Sequence, residues 1–142
     1  MDISVVLPCL NESETIARCI KKAKKQILSL KIKGEIIVAD NGSKDGSIKI
    51  SKKLGAKVIN VKNKGYGNVI RAGIKKAKGK YILIADSDDS YNLNDLPKFY
   101  KRIDKGFDIV QGCRLPGGGG KINKGAMPIT HKLIGNPLFS FL

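Results

Sequence analysis

A chain of 142 residues can form one compact domain with a buried core, and 42% apolar with 27% charged residues is the balance of an ordinary globular protein. Met1-Asp2 runs directly into ISVVL, which is no leader of charged-then-apolar type, and no apolar run approaches the roughly 20 residues that span a bilayer, so a cytoplasmic chain is expected. The net charge of +15 favours polyanionic partners such as nucleotides, lipid phosphates, membrane surfaces or nucleic acid, yet the lysines are dispersed (21, 22, 24, 25; 49, 52, 53; 75, 76, 78) and read equally well as solvated helix faces. Cys9, Cys19 and Cys113 have neither CxxC nor Cys/His spacing and read as small buried apolar residues.

Taken in chain order, β-branched apolar runs at residues 3–7, 35–39, 57–61, 81–85 and 108–111 predict strands, and polar segments of helical period separate most of them. The first helix is expected to start near Asn11, which with Glu14 makes a capping-box pattern, to align Ile16, Ile20 and Ile27 on one face, and to end at Gly34. A short helix over 46–54 follows, then one over 67–77 with Ile70, Ile74 and Ala77 aligned. A fourth, over 92–105, is capped by Asn92 and buries Leu96, Phe99, Tyr100 and Ile103. The runs VVL and ILIA are apolar at every position, as central strands covered on both faces should be. Alternation of this kind is the mark of an α/β protein with a mainly parallel sheet, whose functional loops lie at the carboxyl ends of the strands.

The unusual polar residues fall at those ends: residues 8–12 after the first strand, 40–43 after the second and 86–89 after the fourth. Asp86, Asp88 and Asp89 would repel one another unless a cation neutralised them, and two carboxylates at i, i+2 can ligate Mg²⁺ or Mn²⁺ while leaving positions open for diphosphate oxygens. By itself such a pair is more often a solvated acidic turn, here one leading into the helix capped by Asn92. Competing motifs fail: counted from Asp86, an EF-hand would need Gly and Glu where Tyr91 and Pro97 stand, and there is no GxxxxGK[ST]. Gly65-Tyr66-Gly67, followed by Gly73, lacks the third glycine of a dinucleotide fingerprint, since Ile70 occupies that place, and these glycines read as a tight turn with a close helix approach. Asp40 can accept from a base or ribose, or can close an Asx turn into the next helix; both readings stand. His131 has no partner at ligand spacing.

The ordered set VVLPCLNESETI, EIIVADNGSKDGS, KGYGNVIRAGIKKAKGKYILIADSDDS and DIVQGCR resembles the inverting family 2 glycosyltransferases of GT-A fold, strongly over about residues 3–114 and most of all the dolichyl-phosphate mannosyltransferase and polyprenyl-phosphate glycosyltransferase type. The resemblance implies a three-layer, Rossmann-like nucleotide-sugar-binding domain over 1–115, followed over 116–142 by a Gly-rich loop and the incomplete start of an acceptor-side region. It implies that Pro8, Leu10 and Glu12 line the base and ribose pocket and that Asp40 contacts the base. Asp86 and Asp88 would meet ribose, metal and diphosphate, with Asp88 catalytic and Ser90 at the Mg²⁺ or Mn²⁺ site. Arg114 matches an arginine near the donor phosphates, where a guanidinium suits bidentate binding.

The implied reaction is attack of an acceptor oxygen on the anomeric carbon of a UDP- or GDP-sugar, with electrostatic stabilisation of the leaving diphosphate. No Asp or Glu lies between Arg114 and Leu142. That suits a polyprenyl-phosphate acceptor, already anionic near pH 7 and in no need of a general base, met at the cytoplasmic face of a membrane; it suits a missing carboxyl-terminal part equally. Two rivals remain at this point. A nucleotidyltransferase would carry a basic Gly-rich loop where PCLNESE stands, and a basic module for nucleic acid or membrane surfaces is disfavoured by dispersed lysines and the want of an RNA-binding motif.

Overall fold

A computed structural model describes residues 1–113. Within Met1–Asp108, which packs as one unit, four parallel strands alternate with helices: β1 Ile3–Cys9, α1 Ile16–Ser29, β2 Gly34–Asp40, α2 Ser47–Lys53, β3 Lys57–Asn60, α3 Tyr66–Lys76, β4 Tyr81–Ile84, a 3-10 turn Leu93–Asp95 and α4 Leu96–Ile103. The sheet order is β3-β2-β1-β4. The chain therefore steps outward from β1 to β3 and then crosses back to the far side of β1. Right-handed crossovers place the helices of the outward steps on one face and the returning helix on the other.

One face holds the larger core. Ile16, Cys19, Ile20, Ala23 and Ile27 recur at three- and four-residue spacing on α1, all buried, and close over Ile3, Val5, Leu7, Ile36 and Val38 with Leu93 and Leu96. Each such aliphatic side chain contributes about 1.5–3 kcal/mol by leaving water, which is why this helix forms despite its polar outer half. On the opposite face α3 lies against β1 and β2. There Gly73 is required by contact, because a Cβ at that position would run into Val6 Cγ1 of β1. The close helix approach read from the glycines is thus realised.

At the amino-terminal edge of the sheet, Ser4 is fully buried and donates to Glu35 at 2.8 Å, while Gly79 N–H donates to Ser4 Oγ at 2.9 Å and Lys78 N–H to Glu35 at 2.8 Å. That network anchors the turn into β4 and leaves the opposite edge for function.

Several local expectations are corrected. The first helix begins at Ile16 rather than Asn11, whose φ of 58° is left-handed and incompatible with a helix start, and it ends at Ser29, with Gly34 opening β2. The buried stripe of α3 is Val69 and Gly73, so Ile74 is 40% exposed. Within the described sheet the run ILIA lies at an edge, where a central strand was expected: among the described residues β4 pairs with β1 alone, and Ile82 and Ile84 are 40% and 41% exposed. The helix expected over 92–105 is shorter and preceded by the 3-10 turn; Leu96 is buried, whereas Phe99, Tyr100 and Ile103 are half-buried. Residues 108–111 form no strand. Cys9 and Cys19 are buried as expected, while Cys113 is exposed.

Candidate functional site

The order β3-β2-β1-β4 puts the reversal of strand order between β1 and β4, and in open parallel sheets ligands bind outside the carboxyl ends of the strands at that point. Pro8 sharpens the opening. It lacks the N–H a central strand would donate, and β1–β4 pairing stops at Val6↔Ile84, so the two strands part just before their loops. Residues 8–12 and 86–90 flank the gap.

The loops after β1 and β2 are laced together. Asn11 N–H donates to Ser43 Oγ at 2.9 Å, and Lys44 N–H donates to Asn11 Oδ1 at 2.8 Å. Glu12 N–H donates to the buried Ser47 Oγ at 2.8 Å, and Ser13 N–H to Asp45 at 2.8 Å. Ser47 closes the set by donating to Asp45 at 2.5 Å through its hydroxyl and at 3.0 Å through its backbone N–H. The Ser47 hydroxyl, followed by these N–H donors, holds the Asp45 carboxyl well below the usual carboxylate range. Asn11, the expected cap, therefore serves a contact across the loops, which is why the helix starts five residues late.

Asp40 is 1% exposed, and its carboxylate accepts from Gly42 N–H at 2.8 Å and from Ser43 N–H at 3.1 Å. This is the Asx turn foreseen for it. Next to it Asn41 ties the loop after β3, donating to Val61 and Asn63 carbonyls at 3.0 and 3.1 Å and accepting Gly65 N–H at 3.1 Å. A cavity of about 400 Å³ opens here, lined by Asp40, Asn41, Lys44, Lys62 and Lys64 among others. It lies at the ends of β2 and β3, and neither Asp86 nor Asp88 lines it.

Along the loop after β4 the side chains alternate. Ser87 is buried and donates to the Pro8 carbonyl, which ties this loop to the end of β1. Asp89 also points inward: Lys22 Nζ reaches its two oxygens at 2.8 and 3.0 Å and Arg18 Nε reaches one at 3.2 Å, holding the carboxyl below its ordinary range, Lys22 first. The Cys19 thiol, pushed up to about 11 by burial and then by Asp89, donates to the Ser87 carbonyl at 3.5 Å and is inert. Asp86 and Asp88 occupy the alternate positions. Asp88 is exposed, its Oδ1 accepting Ser90 N–H at 2.9 Å, and half-buried Asp86 accepts the Tyr66 hydroxyl at 2.6 Å. That hydrogen bond pushes the Tyr66 phenol up to about 12, so it remains a donor at neutral pH.

A divalent ion fits this donor set as an open site. Among the described residues no group of three or more His, Cys, Asp or Glu side chains could hold a metal, so no closed protein cage exists. Two outward carboxylates leave most positions of an oxygen-preferring Mg²⁺ or Mn²⁺ to other oxygen ligands, which is how such ions bind with phosphates. The third carboxylate of the cluster, Asp89, already has its cations in Arg18 and Lys22.

The structure brings Pro8 to the Asp86–Asp88 loop through Ser87, and Glu12 to α2 through Ser47; Leu10 is 51% exposed beside them, and Ser90 is exposed next to Asp88. Arg114 and the loop over 116–142 lie outside the described residues. Sequence reasoning placed Asn41 and Ser43 in the polar loop after the second strand without their partners, and missed Tyr66, Asp45, Ser47 and the cations of Asp89. Arg18 and Lys22, four apart and hence on one face of α1, were the readable signal for the last. No helix among the described residues is long and apolar enough to cross a membrane.

The family model described as glycosyl transferase family 2 matches residues 4–137. A low-salt glycan biosynthesis hexosyltransferase of Haloferax volcanii is 38% identical over 139 residues, 97% of this chain and 33% of that protein. A dolichyl-phosphate hexose transferase of the same organism is 31% identical over 117 residues, 82% of this chain and 50% of that one. Among solved structures, glucosyl-3-phosphoglycerate synthase from Mycobacterium tuberculosis in complex with Mn²⁺, uridine diphosphate and glucosyl-3-phosphoglycerate is similar with a TM-score of 0.63 and 26% identity, over 72% of this chain and 39% of that chain. The chain thus spans half or less of the length of these three proteins.

Proposed function

The chain belongs to glycosyl transferase family 2, its α/β sheet is of the GT-A type, and on that premise we propose that it carries the donor half of a transferase moving a hexose from a nucleoside-diphosphate sugar to a polyprenyl phosphate. The observation that carries the reading is the outward presentation of Asp86 and Asp88 at the β1/β4 reversal, with their neighbours Ser87 and Asp89 turned inward.

In this reading Asp86, Asp88 and Ser90 would hold Mg²⁺ or Mn²⁺, which when bound would supply Lewis-acid neutralisation of diphosphate charge. Tyr66 steadies the Asp86 carboxylate through its hydroxyl. Pro8, Leu10 and Glu12 receive base and ribose, Asp40 supplies a buried acceptor towards the base, and Arg114 meets the phosphates. The acceptor oxygen forms the new bond at the anomeric carbon as the bond to the diphosphate breaks with its electron pair, so configuration inverts. A phosphate monoester is largely ionised at neutral pH, its second pKa being near 6, and attacks without a general base. Residues 1–115 are the donor domain in this reading, and residues from 116 onward begin the acceptor side.

Support for the lipid-phosphate acceptor comes from the dolichyl-phosphate hexose transferase relative, and support for UDP-sugar and Mn²⁺ from the synthase complex. Calorimetric titration with UDP-glucose, GDP-mannose and UDP-N-acetylglucosamine, with and without Mn²⁺, tests the donor site. Binding of one of them that tightens in Mn²⁺ is expected; no binding of any would sink the reading.

A further inference from the structure

Three carboxylates follow β4 within four residues, and they do not share one environment. Asp86 and Asp88 open outward, whereas Asp89 lies under them against α1, its side chain 17% exposed. It is held from two successive turns of that helix by Lys22 at 2.8 and 3.0 Å and Arg18 at 3.2 Å. Its φ of 65° is left-handed, a conformation uncommon outside glycine that Asp adopts more readily than most residues. One residue earlier in the inward row, Ser87 is fastened to the Pro8 carbonyl and receives the Cys19 thiol on its own carbonyl. The loop is pinned on its inner side at every second residue, and the backbone direction at Asp88 is set between two fixed points.

We infer that Asp89, with Lys22 and Arg18, is a positioning residue that fixes the direction of the Asp88 carboxylate for metal and diphosphate, an inference that rests on the donor-site reading above. The same ion pairs prevent Asp89 from competing as a third ligand, so the site stays open on the side of the diphosphate. Exposed ion pairs contribute little to global stability, and Arg18 is 58% exposed, so the contribution of this cluster lies in geometry more than in folding energy. Outer partners of metal ligands commonly change metal affinity by about 10- to 100-fold when lost.

The test uses the 142-residue chain with Mn²⁺ as probe, its free and bound populations read by electron paramagnetic resonance in the presence of UDP-glucose or GDP-mannose, whichever the wild type binds. Asp89→Ala is expected to weaken Mn²⁺ about 10- to 100-fold while leaving UDP or GDP affinity in EDTA within about twofold; Asp89→Glu, which keeps the charge, is expected to recover part of the loss. Equal Mn²⁺ affinity in Asp89→Ala and wild type overturns the inference and leaves the donor site standing. A parallel loss of metal-free nucleotide binding also overturns it, because that pattern reports general damage. Should Asp89→Ala not fold, Asp89→Asn, which keeps the size of the side chain and removes the charge that Lys22 and Arg18 hold, carries the same expectation. If wild type binds neither donor in Mn²⁺, the donor-site reading falls and this inference with it.

Discussion

The two loop clusters that flank the β1/β4 gap are built from different chemistry. On the β1/β2 side, Asn11, Glu12 and Ser13 are joined to Ser43, Asp45 and Ser47 by short hydrogen bonds, most of them from backbone N–H groups to side-chain oxygens. On the β4 side, Asp89 is held by the cations of two long side chains, and only Ser87 is fixed by a buried hydrogen bond. Buried donors left unpaired cost about 1–3 kcal/mol each, whereas exposed ion pairs contribute about 0–1 kcal/mol. The first cluster therefore shapes a rigid wall, and the second sets the aim of two carboxylates without adding much to stability.

That contrast can be broken by substitution. Ser47→Ala removes the acceptor of Glu12 N–H in a fully buried place, and a loss of about 1–3 kcal/mol in urea unfolding is expected. An unchanged unfolding midpoint would show that the lacing between the loops is incidental. Gly73→Ala, on the far face of the sheet, should cost a similar 1–3 kcal/mol, roughly, because the methyl group meets Val6, and a free energy equal to wild type would contradict the close packing described for α3. Lys22→Met should cost under about 1 kcal/mol, and its penalty should shrink as salt rises from 0.1 to 1 M, where the screening length falls from about 10 to about 3 Å. A salt-independent penalty would mean that Lys22 acts through packing.

Acid gives the smallest and broadest effect. Asp45 and Asp89 both have carboxyls held below the ordinary range, by the Ser47 hydroxyl and by Lys22 respectively. A group with a depressed folded-state pKa contributes stability above its unfolded value, about 3.9, and loses it as pH falls towards the folded value. Melting temperature should accordingly decline below about pH 4, and Asp45→Asn and Asp89→Asn should each flatten that decline. Two variants with the wild-type slope would show that these contacts do not persist in solution.

How much of this was legible depended on how local the cause was. The run VVL is buried on both faces because β1 is central, and the loops at residues 8–12, 40–43 and 86–89 lie where a parallel sheet places its ligands. ILIA has the same composition but lies at an edge of the described sheet, and neither period nor propensity distinguishes a strand with one neighbour from a strand with two. Asn11 and Glu14 satisfied the spacing of a capping box, yet Asn11 found partners 32 and 33 residues away, which no local pattern records. For the same reason Asp89 was grouped with Asp86 and Asp88: three adjacent carboxylates look alike until α1 supplies cations to one of them. Tyr66 left no signal at all, since its contact with Asp86 spans 20 residues and two elements.

The most direct measurement is the gain in nucleotide-sugar affinity on adding Mn²⁺, compared between wild type and Asp88→Ala in one calorimetric series. The outward carboxylates account for the site if wild type tightens in Mn²⁺, on the order of tenfold or more as for the loss of a metal-site partner, while Asp88→Ala keeps only its metal-free affinity. Equal tightening in the two proteins would contradict the account, because the metal would then be held without the residue at its centre.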